Sequence, residues 1–257
     1  MCKDCGCSMG NSALEHTHGG ITHSHEHTGG HSHEHSHPAL NEKKTVEVIT
    51  KILQENDNEA EHNRAHLDEK GIFCINLMSS PGAGKTTLLE ATIKNGSFKI
   101  GVVEGDLETN KDADRIRKTG AAAHQITTGQ TCHLDAFMVH EGLHHLPLND
   151  LDFVFIENVG NLVCPASYDV GAHINAVLIS VPEGSDKIAK YPVMFRAADI
   201  VIITKTSLLE HFDFNIDEVK KEARKLNPKV DIIEVDSKSG AGIDKWINYI
   251  KFKKEIR

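Results

Sequence analysis

The stretch Ser79-Ser80-Pro81-Gly82-Ala83-Gly84-Lys85-Thr86-Thr87 constrains this chain more than any other. The apolar run over 72–78 before it reads as a buried strand, and Leu88-Leu89-Glu90-Ala91 after it reads as the start of a helix. A glycine-containing loop set between a strand and a helix turns backbone N–H groups toward an anion, and the helix dipole adds to the attraction. In that setting Lys85 reaches the terminal phosphates of a nucleotide, and the Thr86 hydroxyl can ligate Mg²⁺. Pro81, Gly82, Ala83, Gly84, Lys85, Thr86 and Thr87 are therefore candidate nucleotide-binding residues. The phosphate-loop pattern asks for glycine where this chain has Ser79. An incidental turn containing Gly-Lys-Thr would leave the flanking strand, the helix and Gly82 unexplained.

The histidines divide the chain. Nine of its 18 histidines fall in one tract, His16, His18, His23, His25, His27, His31, His33, His35 and His37, among Gly, Ser, Thr and Glu. Cys2, Cys5 and Cys7 precede them as Cys-x-x-Cys-Gly-Cys. Residues 1–38 are too polar to collapse and read as a disordered metal-binding tail. Thiolates and imidazoles suit Ni²⁺, Zn²⁺ and Cu²⁺, and the mobile His tract suits several weaker, exchanging sites. The bland alternative is a solubilising tail with incidental thiols.

A net charge of −9 argues against a nucleic-acid binder. No run approaches the ~20 apolar residues of a membrane span, and Met1-Cys2-Lys3-Asp4 does not read as a signal peptide. A cytoplasmic location is expected, where the six cysteines serve as metal ligands or core rather than disulfides.

Residues 39–70 read as a helical arm in two segments, with a bend or fresh N-cap at Asn56-Asp57-Asn58. His62 and His66, four apart, read as exposed rather than as ligands. Over 71–257, strands are expected at 72–78, 99–104, 122–127, 152–156, 176–181, 200–204 and 230–235. Helices are expected at 85–94, 111–118, 133–145, 185–190, 217–226 and 242–252. This alternation predicts an α/β domain with a doubly wound, mostly parallel sheet, whose ligands sit at the carboxyl ends of the strands.

The remaining polar motifs fall at those ends. Asp106, in Glu104-Gly105-Asp106, could hold Mg²⁺ or orient the attacking water; a helix cap is the plainer alternative. Glu157-Asn158-Val159-Gly160 resembles the γ-phosphate sensor of NTPases, with Glu157 on the Mg²⁺ side and Gly160 offering an N–H to the γ-phosphate. Lys85, Asp106, Glu157 and Gly160 are the candidate catalytic set. Cys132, His133 and Cys164 could form a Ni²⁺ or Zn²⁺ set with an open position, or be unrelated residues. Cys74 reads as core; His140, His144 and His145 read as surface. Thr204-Lys205-Thr206-Ser207 stands where guanine-specific GTPases carry Asn-Lys-x-Asp, with Ser207 in place of the aspartate. Ser237-Lys238-Ser239-Gly240 resembles their second base-contacting loop, so Thr204, Lys205, Ser237 and Lys238 complete the nucleotide-binding candidates.

Taken together, these motifs resemble the HypB family of hydrogenase nickel-incorporation GTPases, in the SIMIBI class of P-loop proteins. The resemblance runs from the cysteine cluster through Asn56-Asp57 with Asn63-Arg64, the phosphate loop, and Glu104-Gly105-Asp106 with Thr109 and Asp112. It continues through Cys132-His133-Leu134-Asp135-Ala136, the stretch from Glu157 through Cys164 to Pro165, and Ser237-Lys238-Ser239-Gly240. It implies slow hydrolysis of GTP with Mg²⁺ and delivery of nickel to the large-subunit precursor of [NiFe]-hydrogenase. It implies a HypA-type metallochaperone as partner, and a homodimer promoted by GTP and metal, with Cys132, His133 and Cys164 as a Ni²⁺/Zn²⁺ site at its interface. It also implies a nickel site at Cys2, Cys5 and Cys7, with nickel storage in the His tract. Two other readings stand beside it: a nickel buffer with a degenerate nucleotide domain, and a urease-accessory-type GTPase.

Overall fold

The structure, a computed structural model, describes residues 42–107 and 110–257. Cys2, Cys5, Cys7, the His tract and Thr109 lie outside the described residues. Lys43–Arg257 form one compact unit.

Among the described residues, seven strands alternate with helices. The order is α1 (Glu42–Glu69), β1 (Phe73–Ser79), α2 (Lys85–Asn95), β2 (Ile100–Asp106), α3 (Lys111–Lys118), β3 (Ala122–Thr127) and α4 (Ala136–His144). Then come β4 (Phe153–Glu157), β5 (Ile174–Ser180), α5 (Lys187–Lys190), α6 (Pro192–Arg196), β6 (Ile200–Thr204), α7 (Ile216–Leu226), β7 (Asp231–Glu234) and α8 (Ile243–Glu255). The strands form one sheet in the order β3-β2-β4-β1-β5-β6-β7, and every pairing is parallel. The expected doubly wound sheet is thus observed, and β1 and β4 lie at its centre.

Alternate residues of each strand face opposite sides, so both faces need covering. Phe73, Ile75 and Leu77 of β1 pack with Leu88 of α2, Ile116 of α3 and Trp246 of α8. The buried Trp246 indole N–H donates to Thr92 Oγ1 at 3.0 Å. On the other face, Cys74 packs with Leu67 of α1 and with Val139 and Leu143 of α4. Met78 packs with Phe195 of α6 and Val219 of α7. Cys74 is core, as expected.

Two expectations fail at helix ends. The arm is one helix without a break at 56–58. Asn56 is not used as a cap: it donates to the Asp169 carbonyl at 2.8 Å and accepts from the Ala136 N–H at 2.9 Å. Helix α4 begins at Ala136 rather than 133, because Asp135 caps it by accepting from the Met138 N–H at 2.8 Å. Cys132 and His133 therefore lie in the loop before the helix. The short helix α6 was not expected; Pro192 opens it at a position where a missing N–H costs nothing. Among the described residues, no helix is long and apolar enough to cross a membrane.

Candidate nucleotide and metal site

The carboxyl ends of β1, β2 and β4 open onto a cavity of about 400 Å³ lined by Gly82, Lys85, Thr86, Asp106, Glu157 and Gly160, among others. Gly82 (φ 76°) and Gly84 (φ 102°) take left-handed conformations that a side chain would strain, so the loop's backbone can curl around a phosphate. Gly84 also precedes the first turn of α2, which has no side-chain cap and leaves its N–H groups to a ligand. Lys85 is buried, and its ammonium donates to Ser79 Oγ at 3.2 Å. Ser79, where the pattern asks for glycine, thus holds the lysine. Burial depresses the Lys85 pKa, against the nearby carboxylates Glu157, Asp112 and Glu104.

The Thr86 hydroxyl donates to Glu157 Oε1 at 2.7 Å. Burial raises the Glu157 carboxyl to about 7 despite Lys85 and Thr86. Glu104, paired in register with Glu157 across β2 and β4, is pushed to about 8 by burial and then by Glu157 and Asp106. Glu104 Oε2 and Glu157 Oε2 are both buried without a hydrogen-bond partner. Orphaned carboxylate oxygens beside a hydroxyl are a hard-cation donor set, so these residues fit Mg²⁺. The sequence motif singles out Asp106 rather than Glu104, whose place at a strand end two residues before it is the available signal. Arg115, which no sequence motif marks, also lines the cavity. Its guanidinium is clamped on Glu90 at 2.7 and 3.0 Å and on Asp112 at 2.9 Å.

Gly160 closes against the phosphate loop: a Cβ there would lie 3.0 Å from Pro81. Asn158, between it and β4, is buried and accepts from the N–H groups of Leu134 at 3.1 Å and Val159 at 3.0 Å. Leu134 in turn packs where a Cβ on Gly105 would stand, 2.8 Å away, between Glu104 and Asp106. The loop carrying Cys132 and His133 is thereby fastened to both carboxylate strands.

The sulfurs of Cys132 and Cys164 lie 2.8 Å apart, and His133 Nδ1 is 4.0 Å from the Cys132 sulfur. One ligand atom from each of the three residues falls within 4.8 Å of the others. Two thiolates on one tetrahedral ion stand roughly 3.8 Å apart, so metal entry requires the sulfurs to separate by about 1 Å. The His133 ring stacks on Tyr168, centroid to centroid 3.9 Å, and burial lowers its pKa, which favours the neutral ligand form. The structure therefore brings Cys132, His133 and Cys164 together.

A second cavity adjoins the phosphate loop, lined by Gly84, Thr204, Lys205, Ser207, Asp236 and Lys238, among others, with Ser237. Thr204 donates to the Ala83 carbonyl at 2.7 Å, and Lys205 donates to the Gly82 carbonyl at 2.7 Å. Lys205 has φ 59°, the one positive value outside glycine among the described residues. A left-handed lysine is strained, and its hold on the phosphate loop accounts for it. Ser207 meets a carboxylate after all. Its hydroxyl donates to Asp236 Oδ2 at 2.6 Å and its N–H at 3.2 Å, while the Ser239 N–H reaches Oδ1 at 2.8 Å. Burial opposes ionisation of Asp236, but these donors outweigh it and hold the pKa at about 2.

Residues 73–234 match the CobW/HypB/UreG nucleotide-binding domain. The chain belongs to the CobW/HypB/UreG family. Within it, the chain is 49% identical over 217 residues to the hydrogenase/urease maturation factor HypB of Helicobacter pylori, covering 82% of this chain and 89% of that one. It is 43% identical to the hydrogenase maturation factor HypB of Escherichia coli K12, covering 86% of this chain and 78% of that one. A crystal structure of Helicobacter pylori HypB in complex with nickel superposes with a TM-score of 0.76 at 48% identity, over 78% of this chain and 95% of that one. HypB from Archaeoglobus fulgidus superposes with a TM-score of 0.73 at 40% identity, over 79% and 100%.

Proposed function

We propose that this chain is a nickel-binding GTPase that hydrolyses GTP to GDP and phosphate and delivers nickel to the large-subunit precursor of [NiFe]-hydrogenase. One observation carries the reading. The segment 157–164 has Glu157, hydrogen-bonded to Thr86, at one end and Cys164, beside Cys132 and His133, at the other. A change in nucleotide state at the first end moves ligands at the second.

In the cycle, backbone N–H groups of 82–87 hold the phosphates, and Lys85 neutralises charge that develops on them. Thr86, Glu157 and Glu104 would hold Mg²⁺, which would supply positive charge against the phosphates. Asp106 orients the attacking water, and the Gly160 N–H reaches the γ-phosphate. Asp236, presented by Ser207, accepts from the guanine edge in place of the missing aspartate, which makes GTP the substrate. Nickel or zinc at Cys132, His133 and Cys164 is cargo, held where two copies of the chain meet as a GTP- and metal-promoted homodimer. Val163, next to Cys164, is an apolar side chain left 52% exposed for such a contact. Cys2, Cys5, Cys7 and the His tract supply a nickel store, and a HypA-type metallochaperone is the exchange partner. The Helicobacter pylori relative is a hydrogenase/urease maturation factor, which supports urease as a further client.

The test is Ni²⁺ affinity of the full chain loaded with a non-hydrolysable GTP analogue or with GDP. A difference that disappears in Cys164→Ser supports the reading. Equal affinities in both nucleotide states, with negligible GTP turnover, favour a nickel buffer instead.

A further inference from the structure

Away from the nucleotide cavity, four histidines meet at the seam between α1 and α4. His62 and His66 lie four apart on α1, and His140 and His144 lie four apart on α4, so each pair shares a helix face. His140 and His144 approach to 3.0 Å between their Nε2 atoms. The His62 ring is 5.1 Å from that of His140, and the His66 ring is 6.4 Å from that of His144.

The surroundings fix how His140 presents itself. Asn63 donates its amide to the Ala136 carbonyl at 2.8 Å, which turns its oxygen toward His140 Nδ1 at 2.9 Å. Glu59 Oε1 lies 3.1 Å from the same Nδ1 and 3.3 Å from His62 Nδ1. His140 therefore carries its proton on Nδ1 and turns the Nε2 lone pair toward His144. A metal-binding histidine has this arrangement: one ring nitrogen donates to a carboxylate or amide oxygen, and the other is free for the ion. At a metal–nitrogen distance of about 2.0–2.1 Å, two imidazole nitrogens stand about 2.9 Å apart at a right angle and about 3.3 Å at the tetrahedral angle. The observed separation falls between them.

We propose that His140 and His144 bind a divalent transition-metal ion through Nε2 at the α1–α4 seam, with His66 and His62 supplying further ligands and Glu59 and Asn63 orienting His140. An all-imidazole set selects borderline ions such as Zn²⁺, Ni²⁺ or Cu²⁺ over Mg²⁺. The ion cross-links the arm to the domain on the helix that follows Cys132-His133.

Crystals of the full chain grown with excess Zn²⁺ are measured at the zinc absorption edge. The expected anomalous peak lies within about 2.2 Å of both Nε2 atoms and is lost in His144→Ala. Peaks at the cysteines with none at the seam would overturn the site. In solution, saturating Zn²⁺ should raise the melting temperature of the parent by roughly 5 °C more than that of His144→Ala. His144 is exposed, so that variant retains the fold. Equal shifts in parent and variant also overturn it.

Discussion

Ser207 and Asp236, 29 positions apart, form a single unit in which the serine hydroxyl donates to the aspartate carboxylate at 2.6 Å. The Asn-Lys-x-Asp pattern of guanine-specific GTPases has the carboxylate on the first loop, whereas here the hydroxyl stands there and the carboxylate comes from the second. If Asp236 reads guanine, Asp236→Asn lowers GTP affinity by about 1.5–3 kcal/mol, roughly 10- to 150-fold, with ATP affinity little changed. Ser207→Asp alone sets two carboxylates against each other and lowers GTP affinity too. The exchange Ser207→Asp with Asp236→Ser restores it. Competition binding of GTP and ATP across these variants decides the matter, and a Ser207→Asp protein with sharpened GTP preference would refute the assignment.

In the proposed cycle, Lys85→Ala removes the ammonium that neutralises the phosphates. GTP hydrolysis should fall at least ~100-fold, the scale of a lost electrostatic contact in a transition state. Phosphate release under saturating Mg²⁺ and GTP measures it.

The buried carboxylates set a pH dependence. Glu104 and Glu157, near 4.5 when unfolded, rise to about 8 and about 7 in the fold. Between those values the folded chain binds more protons than the unfolded one, so stability falls as pH rises from about 5 to 8. Urea unfolding of the nucleotide-free chain across that range should show this decline, on the order of a few kcal/mol. Glu104→Gln should flatten it, and Mg²⁺ with nucleotide should remove it by making the charged forms useful.

Asn158→Ala leaves the N–H groups of Leu134 and Val159 without an acceptor. A loss of about 1–3 kcal/mol in stability is expected. Nickel affinity should at the same time become insensitive to GTP versus GDP, because the tie between the two loops is cut. Calorimetric Ni²⁺ titrations in both nucleotide states test this; retained sensitivity would send the coupling through another route.

Strand β6 matches its expected bounds, since a short, buried apolar run between turn residues leaves little choice. The phosphate loop was equally legible, because its chemistry is local: consecutive residues make one site. What the sequence concealed was non-local. Asn56 looks like a helix breaker until its two partners, Asp169 and Ala136, come into view. Asp236 looks like an ordinary loop acid until Ser207 folds onto it. His144 is exposed, as its sequence reading has it, but His140 reads as surface because its partners, Glu59, His62 and Asn63, belong to another helix. In each case a polar side chain is spent on a distant partner, and local pattern carries no trace of that.

Asn158 has one side-chain oxygen, and it holds the loop of Cys132 and His133 and the loop after β4 at once. Two functions that draw on the same atom cannot be optimised separately. If the two loops carry nickel and nucleotide as proposed, a lineage under pressure to bind nickel more tightly finds its nucleotide turnover altered by the same substitutions. An engineer who tightens the thiol pocket inherits a different clock.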